Sequence, residues 1–344
     1  MKDSKEKSDA LFHPKVAIVI VNWNGKEDTL ECLESVRRID YPCVEVIVVD
    51  NGSSDNSVGA IRERFPDIVL LESEKTLGTA GGRNIGIRYV LKSGADFVLF
   101  LDNDTILDPQ LIWNLMKAVD IVGSHGILGA KIYYFDEPNK IWYAGSKWKY
   151  SGFIHLGMGD TDDGQRFNSI AETAYACGCA LFVDKKVIEK VGIFDEKFFA
   201  YFEETDFCYR AKAEGFRSFL VPSAKVWHKI SSSTGGKASP FFHYYLNRNI
   251  LLWAERHLPL GDKIKLYWNL LDKLVRAVLP PGIGSATTGK NIRFPWTSEL
   301  LRNYIEECNR KYKDPAIKAI LIGVRDYFLR RFGNCPESIT SLRK

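Results

Sequence analysis

In LFLDNDTIL (99–107) an apolar run ends in two aspartates one residue apart, Asp102 and Asp104, followed by a threonine. Alternate residues of an extended chain share a face, so both carboxylates can reach one hard cation. Such an oxygen pair suits magnesium or manganese carrying a phosphate. The same residue types at the same spacing also suit an aspartyl nucleophile with an acid partner. A third reading is a polar loop in which one aspartate caps the next helix.

Other stretches carry chemistry of their own. DNGSSDNS (50–57) ends a β-branched run with a carboxylate and a turn of small residues. Asp50 can there accept a hydrogen bond from a planar ring N–H while the backbone bends around the ligand. LGTAGGRNIG (77–86) is glycine-rich and opens a helical stretch, so its backbone amides can approach a phosphate or ribose, with Arg83 and Asn84 projecting nearby. Its glycines, at 78, 81, 82 and 86, match a dinucleotide fingerprint only loosely, and the stretch follows the third strand rather than the first. FFAYFEETDFCYR (198–210) sets Glu203, Glu204 and Asp206 at the start of a helix. The helix dipole favours negative charge there by about 0.3–1 kcal/mol, which fits either a structural acidic turn or a carboxylate kept ionised as a general base. His228, in VWHKISSS (226–233), follows a short strand and is either structural or a third metal ligand.

The elements that position these residues follow from periodicity. Residues 16–22 and 45–50 are β-branched runs, and between them Leu30, Leu33 and Val36 stand at helical spacing, which makes a βαβ unit. Apolar runs at 68–71 and 97–101 alternate with helical stretches at about 80–92 and 109–119, the latter opened by Asp108 as cap and Pro109 in its first turn. The first 120 residues therefore read as a parallel, doubly wound sheet whose ligands gather at the carboxyl ends of its strands. A mixed-sheet portion is expected at 126–183, then a helix at about 203–214 ending at Gly215, then short strands reaching Trp227 and His228. From 239 onward Ser239-Pro240, Asp262, Thr297 and Asp314-Pro315 read as helix starts.

Composition narrows the class. With 344 residues, 45% hydrophobic and 26% charged, the chain is a folded protein rather than a disordered one. No run of eighteen apolar residues occurs, and the start is a charged tail without the apolar stretch of a secretory signal, so a cytoplasmic protein is expected. Seven cysteines without a regular framework fit a reducing compartment, and the close pair Cys177 and Cys179 lacks the companions a zinc site needs. The net charge of +4 hides an asymmetry: residues 239–344 hold 18 Lys+Arg against 9 Asp+Glu, while the rest of the chain is net acidic.

Taken in order, VNWNG, VVDNGSSD, LGTAGGRNIG, FLDNDT, the long CGCALFVDKKVIEKVGIFDEKFFAYFEETDFCYR and VWH resemble glycosyltransferase family 2, especially its rhamnosyltransferase-like members, over roughly residues 15–250. The resemblance implies a GT-A fold, an α/β architecture with a mainly parallel doubly wound sheet, a mixed-sheet acceptor half and a helical C-terminal extension. With the charge and helix pattern, the motifs divide the chain into a charged tail at 1–14, a catalytic domain at 15–238 divided near 120, and a basic helical region at 239–344. The resemblance further implies inverting transfer of a sugar, with rhamnose as one candidate, from a UDP or dTDP donor to a saccharide or lipid-linked acceptor in cell-surface polysaccharide synthesis. By the same resemblance, Trp23, Asp50 and Asp102 meet the nucleotide sugar, and Val21 and Asn24 at the strand exit and Gly78, Arg83 and Asn84 in the glycine-rich loop are expected to complete its surroundings. Asp104, Asp102 and His228 hold Mn2+ or Mg2+, and Glu204, Glu203 and Asp206 form the catalytic acidic group. The family commonly has Glu-Asp where this chain has Glu203-Glu204; Glu204 occupies the usual position of the base.

Two other functions compete. An aspartyl-nucleophile phosphatase of the haloacid-dehalogenase type explains DNDTI but leaves NWNG, DNGSSD and the later acidic helix without work. A non-catalytic nucleotide-sugar-binding protein would bind donor with metal yet never turn it over. No nucleic-acid partner is expected. The basic tail, with FFHYYLNRNILLW and KIKLYWNLLDKLVRAVL flanked by Arg248, Lys263, Lys265, Lys273 and Arg276, either packs on the catalytic domain or between subunits of a homodimer, or makes a peripheral contact with the inner face of the membrane.

Overall fold

The computed structural model describes residues 13–123, 126–149, 152–230, 239–278 and 313–340, with Glu306 and Lys311 besides. The β-branched runs form β1 (Val16–Asn22), β2 (Val44–Asp50), β3 (Val69–Glu72) and β4 (Phe97–Asp102). Helices α1 (Lys26–Val36), α2 (Ser57–Arg64) and α3 (Gly78–Ser93) return the chain, so the four strands lie parallel in the order β3-β2-β1-β4. Their side chains are buried on both faces. Ile18 and Leu99 face the core shared with α1, and Val19 and Val98 face the one shared with α3. Burying each such side chain stabilises the sheet by roughly 1.5–3 kcal/mol. Helix α3 lies close because Gly82 and Gly86 present no Cβ; one added there would come within 2.6 Å of Val21 and 2.4 Å of Val19.

The second half continues the same sheet with mixed directions. It comprises β5 (Thr105–Leu107), α4 (Leu111–Val122), β6 (Ile127–Tyr134), β7 (Ile141–Tyr143), the ribbon β8 (Ser146–Lys149) and β9 (Gly152–His155), β10 (Ala171–Thr173), β11 (Ala180–Asp184), α5 (Lys185–Val191), α6 (Glu203–Ala213) and β12 (Ser218–His228). β11 inserts antiparallel between β4 and β6, and β12 runs parallel to β6. Two expectations are corrected here. The short strands before His228 are one strand of 11 residues, whose register shifts between Val221 and Lys225 because Pro222 cannot donate to the ladder. Helix α4 starts at Leu111, since Asp108 spends its carboxylate on the Gln110 amide (2.8 Å) in the turn before it.

The C-terminal helices are α7 (Pro240–His257), α8 (Leu260–Val278), α9 (Pro315–Phe328) and α10 (Glu337–Thr340). Ser239 and Asp314 cap α7 and α9 as expected, each followed by proline in the first turn. Asp262 falls inside the first turn of α8 rather than before it, and Thr297 lies outside the described residues. Among the described residues no helix is long and apolar enough to cross a membrane.

Helix α7 is fused to the segment that precedes α6. Phe198 and Phe202 share a core with Leu251 and Trp253. Arg248, expected among the exposed cations of the tail, is fully buried and donates to the carbonyls of Lys197 (2.9 Å), Phe198 (2.9 Å) and Gly333 (2.7 Å). Its neighbour Asn249 donates from one amide nitrogen to Phe198, Ala200 and Tyr201 at 2.9, 2.7 and 2.8 Å. These bonds hold a backbone in which Phe199, Tyr201 and Phe202 all have positive φ (64°, 63° and 73°), each costing of order 1–3 kcal/mol for a non-glycine residue. Asp206 belongs to the same junction, and its expected catalytic role is corrected. Its fully buried carboxylate meets Arg210 (2.8 Å), Arg256 (3.1 Å) and His257 (2.8 Å) and joins α6 to α7. Burial alone would raise this carboxyl, but hydrogen bonds from His257 and Arg210 hold it below the usual range.

Asn249→Ala should lower the free energy of unfolding by about 2–4 kcal/mol, because the carbonyls of Ala200 and Tyr201 lose their side-chain donor while that of Phe198 keeps Arg248. Asn249→Asp, which keeps the size but not the donors, should cost at least as much by urea denaturation, and retained stability in both would show that the strained loop holds itself.

Candidate active site

All the expected residues except Asn84 and Asp206 border the carboxyl edge of the parallel strands. Asn22, fully buried at the end of β1, donates to Asp50 (2.8 Å) and to Ser53 (3.1 Å), while its carbonyl oxygen accepts from Thr29 (2.9 Å). The other Asp50 oxygen accepts from the Ser53 amide (3.0 Å), so the carboxylate is fixed in place with acceptor capacity to spare. Asn24, in the left-handed region, binds the Ser53 hydroxyl through its amide and the Ser54 amide through its side chain (2.9 and 2.7 Å). Half-buried Trp23 stands between them, and Val21 packs against Gly82. Asn51 connects this turn to the glycine-rich loop, donating to the Gly78 carbonyl (3.0 Å) and accepting from the Leu77 amide (2.9 Å). Gly78 has φ +69°, and a Cβ there would sit 2.3 Å from the Phe199 carbonyl, so the loop touches the strained segment before α6. Asn22 and Asn51 were both visible as strand-exit asparagines, but nothing in the sequence distinguished them from turn residues.

Arg83 does not project toward a phosphate as expected. It is 2% exposed and donates to Glu203 (3.0 Å), Asp102 (2.9 Å) and the Gly178 carbonyl (2.7 Å). Gly178 can approach because it lacks a Cβ, which would lie 2.8 Å from the guanidinium. Cys177 and Cys179 thus flank a close backbone approach and, like the other described cysteines, form no disulfide. Asn84 is corrected outright. Its amide donates to the Phe194 carbonyl and Glu196 and accepts from the Phe194 amide, all within 3.0 Å, which leaves nothing for a nucleotide.

Asp102, Asp104 and His228 converge. One oxygen of each aspartate and one ring nitrogen of His228 all lie within 4.8 Å of one another. His228 Nε2 is 3.0 Å from Asp104. Burial opposes a charged ring, yet the Asp104 carboxylate outweighs it and raises the His228 pKa. The Nδ1 nitrogen is buried without a hydrogen-bond partner. Two carboxylates and an imidazole gathered around one point fit a divalent cation of the manganese or magnesium type. The triad exists because β5 pairs antiparallel with β12, setting Thr105 opposite His228.

Glu203 and Glu204 open α6 in contrasting surroundings. Glu203 is buried against Arg83, while Glu204 lines a cavity of about 660 Å³ walled by Trp142, Phe153, His155, Tyr175, Phe242 and Leu270. Each carboxyl has one oxygen buried without a partner. Burial raises both pKa values, and the neighbouring Glu204 charge adds to the rise at Glu203, which reaches about 8. Trp142 meets the rings of both His155 and His228 edge-on at 5.0 Å, so one indole separates the cavity from the cation-type triad.

Known proteins resemble the chain in sequence and fold. The sequence profile described as "Glycosyl transferase family 2" matches residues 17–192. The dTDP-rhamnosyl transferase RfbF of Shigella flexneri is 27% identical over 263 residues, 72% of this chain and 83% of its own length. The N-acetylglucosaminyl-diphospho-decaprenol L-rhamnosyltransferase of Mycobacterium tuberculosis is 28% identical over 261 residues, covering 70% and 84%. Among solved structures, the mannosyltransferase PcManGT from Pyrobaculum calidifontis, in complex with GDP-Man and Mn2+, superimposes with a TM-score of 0.54 over 93% of this chain and 89% of its own, at 16% identity. That likeness establishes the GT-A fold.

Removing the guanidinium should be expensive. Arg83→Met leaves Glu203 buried without its cation, a loss of about 3–5 kcal/mol in chemical denaturation. Restoring most of that stability by adding Glu203→Gln to Arg83→Met would identify the stranded carboxylate as the cause.

Proposed function

The chain belongs to glycosyltransferase family 2, and we propose that it transfers a sugar, rhamnose or another hexose, from a UDP- or dTDP-linked donor to a saccharide or lipid-linked acceptor with Glu204 as base. Members of this family are glycosyltransferases that use nucleotide-sugar donors, typically with inversion. The observation that carries the assignment of the base is the contrast between the two adjacent acids. Glu203 is tied to Arg83, and Glu204 faces the cavity. In this reading residues 15–238 form the catalytic unit, and the helices after 239 support its acceptor side.

The chemistry follows from where the groups stand. Asp50, already braced by Asn22 and Ser53, accepts from the ring N–H of a pyrimidine, an edge that uracil and thymine share. Asp102 meets the ribose while Arg83 fixes its carboxylate from below. Asp104, with Asp102 and His228, would hold manganese or magnesium, which when bound supplies positive charge to the leaving diphosphate. Glu204 takes the proton of the acceptor hydroxyl as that oxygen bonds to the anomeric carbon. The bond from that carbon to the diphosphate breaks, with its electron pair leaving on the diphosphate. A single displacement of this kind inverts the centre and needs one base on the acceptor side. The raised pKa of Glu204 makes it a stronger base once ionised.

Titration calorimetry with UDP- and dTDP-sugars in the presence of manganese tests the donor half. Asp104→Ala should weaken metal-dependent donor binding by about 100-fold or more, since a first ligand is lost. Asp50→Ala should weaken nucleotide binding while preserving its response to metal. An Asp104→Ala variant with unchanged metal dependence would remove the site assignment.

Glu204→Gln should retain donor affinity and lose about 10²–10⁴-fold in transfer, because an amide keeps the shape but accepts no proton. In the parent enzyme the rate should climb with pH through the raised pKa of the ionising carboxyl, and that limb should vanish in Glu204→Gln. A larger loss in Glu203→Gln would transfer the role to Glu203.

A further inference from the structure

Helix α8 carries an apolar face that nothing in the described structure covers. Among the described residues eleven large hydrophobic side chains are exposed, and five of them belong to α8: Leu260 (73%), Ile264 (48%), Tyr267 (37%), Trp268 (67%) and Leu271 (49%). At 3.6 residues per turn these five fall within an arc of about 100°, one continuous stripe along the helix. The opposite face is occupied differently. Leu266 is buried in the core that contains Trp253, and Leu266, Asn269, Leu270 and Lys273 line the cavity that Glu204 faces. The helix therefore has two apolar sides, one packed on the protein and one turned outward.

The charges around the outward stripe indicate its partner. Lys263, Lys265 and Arg276 accompany it, Lys265 paired with Asp262 (3.0 Å) and Arg276 with Asp272 (2.8 Å), within a C-terminal region of 18 Lys+Arg against 9 Asp+Glu. The end of α9 adds to the same area. Tyr327 hydrogen-bonds Tyr267, and beyond it Phe328 (69%) and Leu329 (54%) are exposed next to Arg330 and Arg331. A stripe with an exposed tryptophan, aliphatic neighbours and flanking cations has the composition of a helix that lies in the headgroup boundary of an anionic bilayer. A second copy of the chain fits less well, because a twofold contact would set these cations against themselves.

We propose that α8 is an in-plane interfacial helix, with Leu260, Ile264, Trp268 and Leu271 inserted among the lipids of an anionic membrane and the flanking lysines on their headgroups. Since the reverse side of α8 walls the Glu204 cavity, docking in this orientation places α8 between that cavity and the bilayer. The proposal does not depend on which acid is the base, and its test reads membrane binding without turnover.

The experiment is cosedimentation of the full chain with vesicles of phosphatidylcholine alone or mixed with phosphatidylglycerol, at low and high salt. The protein should bind the mixed vesicles, and salt should weaken the binding by screening the lysines. Replacing two inserted side chains together, Trp268→Gln with Leu271→Gln, should reduce partitioning at least about tenfold. Thermal unfolding and affinity for the nucleotide-sugar donor should stay unchanged, which separates lost docking from a damaged fold or a failed donor site. The proposal is overturned if the parent protein ignores anionic vesicles at low salt, or if the double variant binds them equally well. It is also overturned if analytical ultracentrifugation shows a dimer that the double variant dissociates, since the stripe would then be a contact between copies.

Discussion

A single guanidinium joins the parts of this enzyme that have to act together. Arg83 rises from α3 through the layer between sheet and helices and satisfies Asp102 at the end of β4, Glu203 at the start of α6 and the carbonyl of Gly178 between them. A buried cation with an incomplete set of acceptors would cost several kcal/mol, so each partner is held to the position the others define. Arginine serves where lysine would not, because its planar fork reaches several acceptors in fixed directions. Asp102 and the start of α6 are therefore linked through one side chain.

The second constraint is the strained segment before α6. Three non-glycine residues with positive φ would not persist alone. They persist because Arg248 and Asn249 of α7 capture the carbonyls of Phe198, Ala200 and Tyr201 around them and because Phe198 and Phe202 are packed beneath Trp253. The result is a helix start turned so that Glu203 points inward and Glu204 points to the cavity. The C-terminal helices are thus part of the machinery that aims the acid pair, and the Asp206 cluster with Arg210, Arg256 and His257 ties down the same junction one turn further along.

The cation-type triad depends on β12 in a similar way. Its length carries the chain from the far edge of the sheet to the carboxyl end of β4, where pairing with β5 brings His228 to Asp104. The Lys229 amide bonds the Asp104 carbonyl (2.9 Å), and its ammonium reaches Asp28 (2.7 Å), so α1 and β12 close over the same turn. Charge is kept local: each buried acid near the site has a cation or a donor, except the oxygens of Glu203 and Glu204 that have no partner within the protein.

The amino-acid sequence alone determined the parallel half of the fold, because β-branched runs and helical spacing are local properties that need no partner to be read. It also placed Asp50, Asp102, Asp104 and the acids of 203–206 at element ends, where a sheet of this kind collects ligands. Deciding what each side chain does once there required the tertiary structure. The loop sequence around Arg83 and Asn84 looks equally suited to phosphate binding at both positions, yet one residue faces Asp102 and Glu203 while the other is spent on the Phe194 backbone. Glu203, Glu204 and Asp206 form one acidic run in sequence, but helical rotation sends them to an arginine, a cavity and an ion cluster. The same holds for the tail, where composition showed an excess of cations without revealing that Arg248 is buried and that the apolar stripe of α8 is not. Type and spacing fix which chemistry a residue can offer; direction and company, which come from contacts distant in sequence, fix whether it is offered to a ligand or used by the protein itself.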